Sequence, residues 1–524
     1  MTPTATYDFV IVGAGATGCV VAGHLARRFP EASVLLVEAG RARPGLVNTV
    51  PRLGAFAPFR RGTNWRHTAT LCGREAALFQ GRMPGGSSEI NGMVVSLGAP
   101  EDYRPWQEAA GDDWAPETCL ATMRGLQCRD GAHDAANGKM QTRQLRAPSV
   151  LTRAFLDAAA EAGQPVVADL NTRGGPRFGL VDANIRGVRR HSARAAFLSP
   201  WPHNLTLWRG AEAQHFTTDA QGRAQITLRR RRARQTVLTE AELILAAGAI
   251  GTAALLLRSG LGPADVLREA GIEVAQDMPE VGRNLQNHPS FTLRVPTRGD
   301  SLKDLLRPAE GLRALALQAA GRPGPLSEPL FEAAGYFAIP DTAQAAGGQL
   351  IMAPVLFPDG PRPGLPRRHG MTLAIQQGCP ESRGRLVPRA GGGLSIDTGA
   401  LDDPRDVEAM GAALAQVQEI LSRPALAPHL DGRDCLARID ALRLRQEIGT
   451  AYHMAGTARM GRDASAPCTP RLRLRAPGRV RIADASAMPA IPNAALHFPS
   501  MMMAARAAAF IAEDHDTPVR PRAA

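Results

Sequence analysis

A glycine-rich turn between a short apolar strand and a helix constrains the fold of this chain more than any other feature. Residues 7–12 read YDFVIV, a run typical of a buried strand, and GAGATG follows at once. The next residues have the apolar spacing of a helix, and a second apolar strand over residues 33–37 ends at Glu38. This order of strand, turn, helix and strand predicts a βαβ unit, the opening element of a parallel α/β sheet.

The three glycines of the turn predict a dinucleotide-binding site. Gly13 permits the tight turn, Gly15 lets the backbone approach a pyrophosphate, and Gly18 allows the helix to pack closely on the strand. Glu38 lies 20 residues beyond Gly18, where a carboxylate can accept hydrogen bonds from ribose hydroxyls. The other residues of the unit expected at the dinucleotide are Ala14, Ala16, Thr17 and Ala39. The pattern fits FAD and NAD equally, but the chain lacks the second GxGxxG that a flavoenzyme reduced by NAD(P)H usually carries.

Length and composition exclude several other classes of protein. With 524 residues, 44% of them apolar and 21% charged, the chain is long enough for two globular domains. Its formal charge of +12 arises from 61 basic residues, of which only Lys139 and Lys303 are lysines. Such an excess of arginine indicates a compositional bias, and the arginine run at 229–232 has no interleaved aromatic residues, so nucleic-acid binding is not expected.

The cysteines and the apolar segments lead to expectations about location. Seven scattered cysteines without a Cys-x-x-Cys pair are typical of a reducing compartment and have no zinc-site spacing, so we expect no metal. The N-terminus lacks the cationic region of a signal peptide, and no apolar stretch approaches the roughly 18 residues of a membrane-spanning helix. We therefore expect a cytoplasmic protein without an integral membrane segment.

Weaker signals predict further elements along the chain. Helices are expected at 150–165, 252–258 and 308–320. Strands are expected at 205–207, 225–228 and 243–247, with a turn at 219–222. Residues 40–75 are rich in proline, glycine and arginine, which predicts a long ordered segment that is not part of the core. Alternating strands near 350–400 favour a separate substrate-side domain between about 290 and 440.

Several further blocks resemble those of one enzyme family. Residues 81–94 read GRMPGGSSEINGMV, residues 248–263 read GAIGTAALLLRSGLGP, and residues 281–288 read VGRNLQNH. Near the C-terminus stand YHMAGTARMG at 452–461 and DASAMPAIP at 484–492. In content and order the blocks resemble the glucose–methanol–choline (GMC) oxidoreductases. The C-terminal blocks look most like those of bacterial hydroxymethylfurfural-type alcohol oxidases.

The resemblance implies an α/β fold with a Rossmann-like FAD-binding domain and a second, mixed-sheet substrate domain. The FAD domain is expected to be discontinuous, built from residues 1–145, 205–285 and 446–514. The substrate domain is expected to consist of residues 146–204 and 286–445. Residues 515–524 are expected to form a disordered tail.

The resemblance also implies a set of FAD contacts beyond the glycine turn. Backbone N–H groups at Gly85 and Gly86 can approach the cofactor, and residues 91–94 can run along the isoalloxazine edge. Ala213 falls at the adenine-side contact, and Asp484 with Ala485 at the ribityl and pyrophosphate region. The remaining implied contacts are Arg82, Ser87, Asn91, Gly92, Met93, Val94, Gly248, Phe498 and Pro499. Since no histidine occurs between Gly81 and Gly98, we expect FAD to bind noncovalently.

Two histidines match the catalytic positions of the family. His453 stands at the active-site histidine of the H-x-x-G-T-x-x-M-G block, and His497 in PNAALHFPS falls at the second position, which is asparagine in many members. A neutral imidazole can accept the proton of an alcohol as hydride leaves its carbon. His288 lies near the domain junction, and we expect it to be structural.

The resemblance implies an FAD-dependent alcohol oxidase or dehydrogenase, which oxidises a primary or secondary alcohol by hydride transfer to flavin N5. The expected partners are a small-molecule alcohol and either O2 or another electron acceptor. Two alternatives remain open: a related enzyme with unusual chemistry, such as a lyase, a photodecarboxylase or a biosynthetic oxidation, and a non-enzymatic FAD-dependent scaffold. The sequence leaves the alcohol and the oligomeric state undetermined.

Overall fold

A seven-stranded sheet built from three distant parts of the chain forms the first half of the fold. The computed structural model describes residues 5–130, 138–172, 174–231, 233–339, 347–358, 364–432, 437 and 439–515. The strands of this sheet are Ala5–Val12, Val34–Glu38, Leu205–Arg209, Ala211–Thr218, Ala224–Arg230, Ala233–Leu245 and Val480–Ile482. The strand Ala233–Leu245 pairs in parallel with both Ala5–Val12 and Val480–Ile482, so it joins the N-terminal unit to the C-terminal segment.

The predicted βαβ unit is confirmed. The helix Ala16–Arg28 connects the strands Ala5–Val12 and Val34–Glu38, which pair in parallel. The second strand is buried along its whole length, as an apolar run between two covered faces requires.

Two strands of this sheet, Val480–Ile482 and Ala211–Thr218, were not predicted from the sequence. The turn predicted at 219–222 joins Ala211–Thr218 to Ala224–Arg230 in an antiparallel hairpin, although the sequence pattern predicts no strand directly before the turn. The sequence of Ala211–Thr218, AEAQHFTT, lacks a clear apolar alternation. Its pairing with a more apolar neighbour therefore determines its conformation.

A six-stranded sheet forms the second half. Its order is Gly449–Thr450, Pro289–Pro296, Gly370–Gln377, Gly348–Ala353, Ala333–Phe337 and Arg177–Leu180, with antiparallel neighbours. A parallel bridge from Val166 to Phe178 makes the sheet mixed at its edge. The helices Val150–Glu161 and Pro404–Leu421 share one core with the apolar residues of this sheet.

Smaller sheets and helices complete the structure. A four-stranded sheet contains Asn64–Leu71, Arg74–Gly81, Arg385–Pro388 and Leu394–Asp397. Three-stranded and two-stranded sheets contain Gln127–Arg129, Met140–Gln144, Asp182–Ala183, Ile185–Arg186, Arg189–Arg190, Leu261–Gly262 and Gln276–Asp277. The other α-helices are Leu46–Thr49, Pro100–Ala110, Pro116–Leu126, Ala193–Phe197, Gly248–Arg258, Ala264–Glu269, Pro308–Ala319, Ala441–Glu447 and His497–His515. Short 3₁₀ segments occur at Pro51–Phe59, Gly86–Glu89, Asp112–Trp114, Leu302–Leu306, Pro325–Ser327 and Ala485–Ala487.

The sheets cross the expected domain limits at three places, one of them where Met140–Gln144 pairs with Asp182–Ala183 across the limit at 145. Gly449–Thr450 pairs with the substrate-side strand Pro289–Pro296, although residues 446–514 were assigned to the FAD domain. The four-stranded sheet likewise joins Asn64–Leu71 to Leu394–Asp397. His515 was expected in a disordered tail, but it ends the last helix and its ring packs edge-on against Phe9. The rest of that tail, residues 516–524, lies outside the described residues.

The C-terminal helix His497–His515 is an element of the core. Its apolar side packs against the helix Ala16–Arg28, and residues such as Met501, Met502 and Phe510 are buried. Within the described part of the chain, no helix combines the length and the apolar character needed to cross a membrane.

Candidate active site

A single large cavity brings together most of the residues predicted from the sequence. It has a volume of about 1230 Å³, and residues of both large sheets line it. The predicted residues that line it are Gly13, Gly15, Ala16, Thr17, Glu38, Ala39, Gly86, Ser87, Asn91, Gly92, Met93, Val94, Ala213, Gly248, His453, Asp484, Ala485 and His497. The other predicted residues, which do not line it, are Ala14, Gly18, Arg82, Gly85, Phe498 and Pro499.

The glycine turn has the geometry that a dinucleotide requires. Gly13 adopts φ +104°, and a Cβ there would lie 2.4 Å from the carbonyl oxygen of Ala246. A Cβ at Gly18 would lie 1.9 Å from the carbonyl oxygen of Gly13. A Cβ at Gly15, by contrast, would meet no protein atom closer than 4.0 Å. Gly13 and Gly18 thus serve the packing of the turn, whereas the space beside Gly15 opens into the cavity.

Glu38 lies at the end of its strand, beside the turn. Its carboxylate accepts hydrogen bonds from the backbone N–H of Ala14 at 3.1 Å and of Gly40 at 2.7 Å, one at each oxygen. Burial raises the pKa of Glu38 to about 7, although these two amide groups act to lower it. Each carboxylate oxygen has a further lone pair with which to accept a bond from a ribose hydroxyl.

The first family block packs directly on the glycine turn. Gly85 donates its N–H to the carbonyl oxygen of Ala14 at 2.7 Å, so it supports the turn from outside the cavity. A Cβ at Gly86 would lie 2.6 Å from the Cα of Gly15. The side chain of Arg82 stacks 4.0 Å above the ring of Trp65 and pairs with Glu212. Trp65 and Glu212 both line the cavity, so Arg82 contacts residues of the cavity wall.

A buried arginine supports the loop at residues 91–94. Arg190 donates hydrogen bonds to the side-chain oxygen of Asn91 and to the carbonyl oxygens of Asn48 and Ser88. Burial lowers the pKa of Arg190 to about 10. Met93, two residues further on, has φ +64°, a conformation that costs energy for a side chain of this kind. Arg190 could not be predicted from the sequence, because its support for the loop depends on a contact with a residue 99 positions away.

The carboxylate of Asp484, which lines the cavity, is held by hydrogen bonds at both of its oxygens. One carboxylate oxygen accepts hydrogen bonds from the N–H of Gly248 at 2.8 Å and the hydroxyl of Thr252 at 2.6 Å. The other accepts from the N–H and the hydroxyl of Ser486. Asp484 thereby joins the N-terminus of the helix Gly248–Arg258 to the C-terminal segment, a favourable place for an anion.

The remaining implied contacts divide into two groups. Ala213 lines the cavity next to an irregularity in strand pairing between Ala213 and His215, and its carbonyl oxygen accepts a hydrogen bond from Arg258 at 3.2 Å. Phe498 and Pro499 are buried in the first turn of the last helix, away from the cavity. The ring of Phe498 packs edge-on against that of His497.

His453 lies on a loop that lines the cavity, and other residues contact both its backbone and its ring. Its backbone N–H donates to the side-chain oxygen of Asn287 at 2.9 Å. Its ring atom Nδ1 lies 2.8 Å from Nδ1 of His288. Tyr452, the preceding residue, has φ +63°, which is strained for a tyrosine. Burial lowers the pKa of His453 to about 4, so the ring is neutral at physiological pH.

His497 lines the same cavity at the start of the last helix. Its ring atom Nε2 is buried and has no hydrogen-bond partner among the described residues. Burial, and to a smaller extent the charge of Arg190, lowers the pKa of His497 to about 4. A buried nitrogen without a partner in a cavity wall is available to a ligand.

The third histidine, His288, was expected to be structural, and it lies next to His453. His288 is fully buried, and its ring stands edge-on to that of His453, with the ring centres 5.0 Å apart. It therefore contacts the histidine predicted as catalytic. The motif at 281–288 places His288 beside His453, because the backbones of Gln286 and Ala455, each two residues from one of these histidines, donate hydrogen bonds to each other.

The side of the cavity opposite the glycine turn was not predicted from the sequence. One face of the six-stranded sheet contributes Ser290, Thr292, Arg294, Ile351, Thr372, Ala374 and Gln376. Alternate residues of the strand, Phe291, Leu293 and Val295, point into the core on the other face. Among the described lining residues the carboxylates are Glu38, Glu212 and Asp484, and none belongs to this sheet.

These observations fit a bound dinucleotide. The space beside Gly15, the helix that begins at Ala16 and the carboxylate of Glu38 suit a pyrophosphate and a ribose. The same cavity is lined by residues 91–94 and by the two histidines. No group of three or more metal-ligating side chains occurs within the described ranges.

Comparison with known proteins agrees with this geometry. The family model described as GMC oxidoreductase matches residues 7–290 with its N-terminal part and residues 380–504 with its C-terminal part. An alcohol dehydrogenase [acceptor] of Pseudomonas putida is 29% identical over 97% of this chain and 96% of its own length.

Two solved structures share the fold. Pyridoxine 4-oxidase from Mesorbium loti aligns with a TM-score of 0.85 and 26% identity, over 98% of this chain and 100% of that one. Formate oxidase of Aspergillus oryzae aligns with a TM-score of 0.90 and 20% identity over the same shares. With both parts of the family model matched and the expected α/β fold present, the chain belongs to the GMC oxidoreductase family.

Proposed function

We propose that this protein oxidises a primary or secondary alcohol to a carbonyl compound, with His453 as the base. The observation that carries the proposal is the presence of His453 and His497 in the cavity that also contains the glycine turn and residues 91–94. Bound FAD would supply the acceptor for the hydride that leaves the alcohol carbon. The chain's own residues bind the alcohol, orient it and move its proton.

His453 suits the task of accepting the alcohol proton. Its Nδ1 is engaged with His288, so Nε2 is the ring nitrogen available to a substrate. The low pKa keeps the ring unprotonated over the whole physiological range. Asn287 holds the backbone of His453, and this support limits the movement of the ring between turnovers.

His497 suits the task of orienting the substrate. Its Nε2 has no partner in the described residues, so a substrate hydroxyl can hydrogen-bond to it without displacing a protein contact. The nearby Arg190 charge disfavours protonation of His497, which limits its competition for the proton. The two histidines therefore divide proton transfer and orientation between them.

The substrate-side wall favours a neutral or anionic alcohol over a cationic one. Hydroxyl, amide and guanidinium groups come from Ser290, Thr292, Gln376 and Arg294, and none of the described lining residues on that sheet is acidic. The similar proteins include an alcohol dehydrogenase and an oxidase of pyridoxine, itself an alcohol. The likeness to hydroxymethylfurfural-type oxidases stays a prediction about the substrate.

The cofactor proposed is noncovalent FAD, and O2 and another electron acceptor remain the two candidates for its reoxidation. The test is anaerobic mixing of the purified protein with a panel of alcohols while the visible absorbance of the flavin is recorded. Bleaching by an alcohol, with the matching carbonyl compound as product, is expected. A flavin that no alcohol bleaches, in a protein that converts another class of compound, would favour the unusual chemistry instead. Readmission of air then separates an oxidase from a dehydrogenase.

A further inference from the structure

The contact between two histidine rings restricts where their protons can be. Nδ1 of His288 and Nδ1 of His453 are 2.8 Å apart, with the ring planes at 88°. Only one proton fits between two nitrogens at that distance. When both rings are neutral, one of them therefore carries its proton at Nδ1 and the other at Nε2.

The surroundings of His288 decide between the two arrangements. The side-chain amide nitrogen of Gln349, which can only donate, lies 3.4 Å from the same Nδ1 of His288. Nε2 of His288 is buried and has no hydrogen-bond partner among the described residues, while the backbone groups of Gly378 and Pro492 act to raise the pKa of the ring and so favour a proton on it. His288 thus accepts at Nδ1 and holds its proton at Nε2.

We propose that His288 is a positioning residue, which fixes the tautomer of His453 so that the Nε2 lone pair of His453 faces the substrate. The inference rests on the proposed alcohol oxidation and adds a third histidine to it. In the opposite tautomer, His453 would present an N–H to the alcohol and could not accept its proton. Fixing a base in the productive tautomer through its second nitrogen is a known role of carboxylates, and here a neutral imidazole fulfils it.

The proton balance of the step follows from this arrangement. The O–H bond of the alcohol breaks, its electron pair stays on oxygen, and the proton forms a new bond to Nε2 of His453. The proton already on Nδ1 of His453 stays there and continues to donate to His288. The imidazolium that forms on His453 is therefore stabilised by a charge-assisted hydrogen bond, at no cost of a second buried charge.

The tautomers can be read directly in the resting FAD-loaded enzyme. Nitrogen NMR of protein with ¹⁵N-labelled histidine distinguishes protonated from unprotonated ring nitrogens among the 12 histidines, and single variants assign the signals. We expect His453 protonated at Nδ1 and unprotonated at Nε2, and His288 the reverse. A spectrum with His453 protonated at Nε2 would overturn the proposal. This readout needs no substrate.

Two variants at His288 supply the kinetic test. His288→Leu removes the acceptor and should slow flavin reduction by about 10–100-fold, the usual effect of losing a group that orients a functional histidine. His288→Asn places a side-chain oxygen at the position of Nδ1, so it should recover most of the rate. His369→Leu is the matched control, because His369 pairs with Ser301 outside the cavity. Wild-type rates in His288→Leu, or no recovery in His288→Asn, would contradict the proposal.

Failure of this inference can be distinguished from failure of the proposed function. If His453→Ala reduces its flavin at the wild-type rate, the proposed function fails. If His453→Ala is slow and His288→Leu is not, only the role of His288 fails. Should His288→Leu not retain FAD, the comparison of His288→Asn with the NMR spectrum of the wild type still decides the matter.

Discussion

The carboxylate of Glu38 accepts a hydrogen bond from the backbone N–H of Ala14, which lies inside the glycine turn. This bond ties the end of the second strand to the loop that follows the first. The residue predicted to bind the ribose therefore also shapes the loop predicted to bind the pyrophosphate. Replacing Glu38 should affect both.

Glu38→Ala should weaken FAD binding without unfolding the protein. The loss of a charge-assisted hydrogen bond to ribose is worth about 1.5–3 kcal/mol, or roughly a 10–150-fold rise in Kd. Titration of the FAD-free protein with FAD, followed by flavin fluorescence, measures the change. Glu31→Ala, at an exposed position, is the control and should leave Kd unchanged. An unaltered Kd in Glu38→Ala would move the ribose contact to another residue.

The pH dependence of flavin reduction should be set by low histidine pKa values. Burial holds the pKa of His453 and that of His497 at about 4, below the ordinary value for histidine. Reduction should therefore be constant across neutral pH and fall only as the pH drops towards about 4, where His453 takes up a proton. Anaerobic reduction rates measured from pH 4 to pH 8 test this. A midpoint near 6.5 would mean that the FAD-loaded site solvates these rings.

His497→Asn should impair the enzyme less than His497→Leu. The amide of asparagine can still hydrogen-bond the substrate, so the loss should be about 2–10-fold, the worth of one imperfect hydrogen bond. Leucine leaves the substrate hydroxyl without that partner, and about 10–150-fold is expected. Reduction rates at saturating alcohol, with FAD content measured in each variant, supply the comparison. Equal losses in the two variants would contradict an orienting role.

A buried ion pair should stabilise the C-terminal helix. Arg481 is fully buried and contacts Glu242 at 2.6 Å and Asp514 at 2.7 Å. Arg481→Met leaves a buried carboxylate without its main partner, and a loss of about 3–5 kcal/mol in the free energy of unfolding is expected. Adding Glu242→Leu to that variant should restore part of the loss.

The control for this prediction is an exposed ion pair. Arg443 pairs with Glu447 on the surface, and Arg443→Met should cost less than about 1 kcal/mol. Denaturant titration of all three variants measures the differences. Equal stability of Arg481→Met and Arg443→Met would show that the buried pair adds nothing beyond its surface counterpart.

FAD should leave the protein on acid precipitation. The sequence between Gly81 and Gly98 contains no histidine, which is the basis for expecting noncovalent binding. The cavity does contain His67, whose Nε2 is buried and has no hydrogen-bond partner in the described part of the chain. Yellow colour in the supernatant is the expected result. Flavin retained in the pellet would contradict it, and His67→Ala would then show whether that side chain carries the attachment.

The parts of the fold that local sequence determines were predictable. The βαβ unit is encoded locally, by apolar runs and by the glycines of a tight turn. Its elements are therefore found within a few residues of their predicted positions. The strand Ala211–Thr218 was not predictable in this way, because its pattern is weak and its partner strand determines its conformation.

The candidate site was predictable only where a motif surrounds each residue. His453 and His497 stand in recognisable blocks, and both line the cavity. His288 also stands in such a block, but its contact with His453, like the contact of Arg190 with Asn91, joins residues far apart in sequence, and no local pattern reveals it. The polar face of the six-stranded sheet depends on strand register in the same way.

The central claim is that His453 removes the proton of the alcohol, and single-turnover flavin reduction tests it most directly. Wild-type protein and His453→Ala, matched in FAD content and thermal stability, are mixed anaerobically with the alcohol that reduces the wild type. Flavin reduction should be about 10²–10⁴-fold slower in His453→Ala, the usual consequence of losing a general base. Reduction at the wild-type rate in that variant would contradict the account.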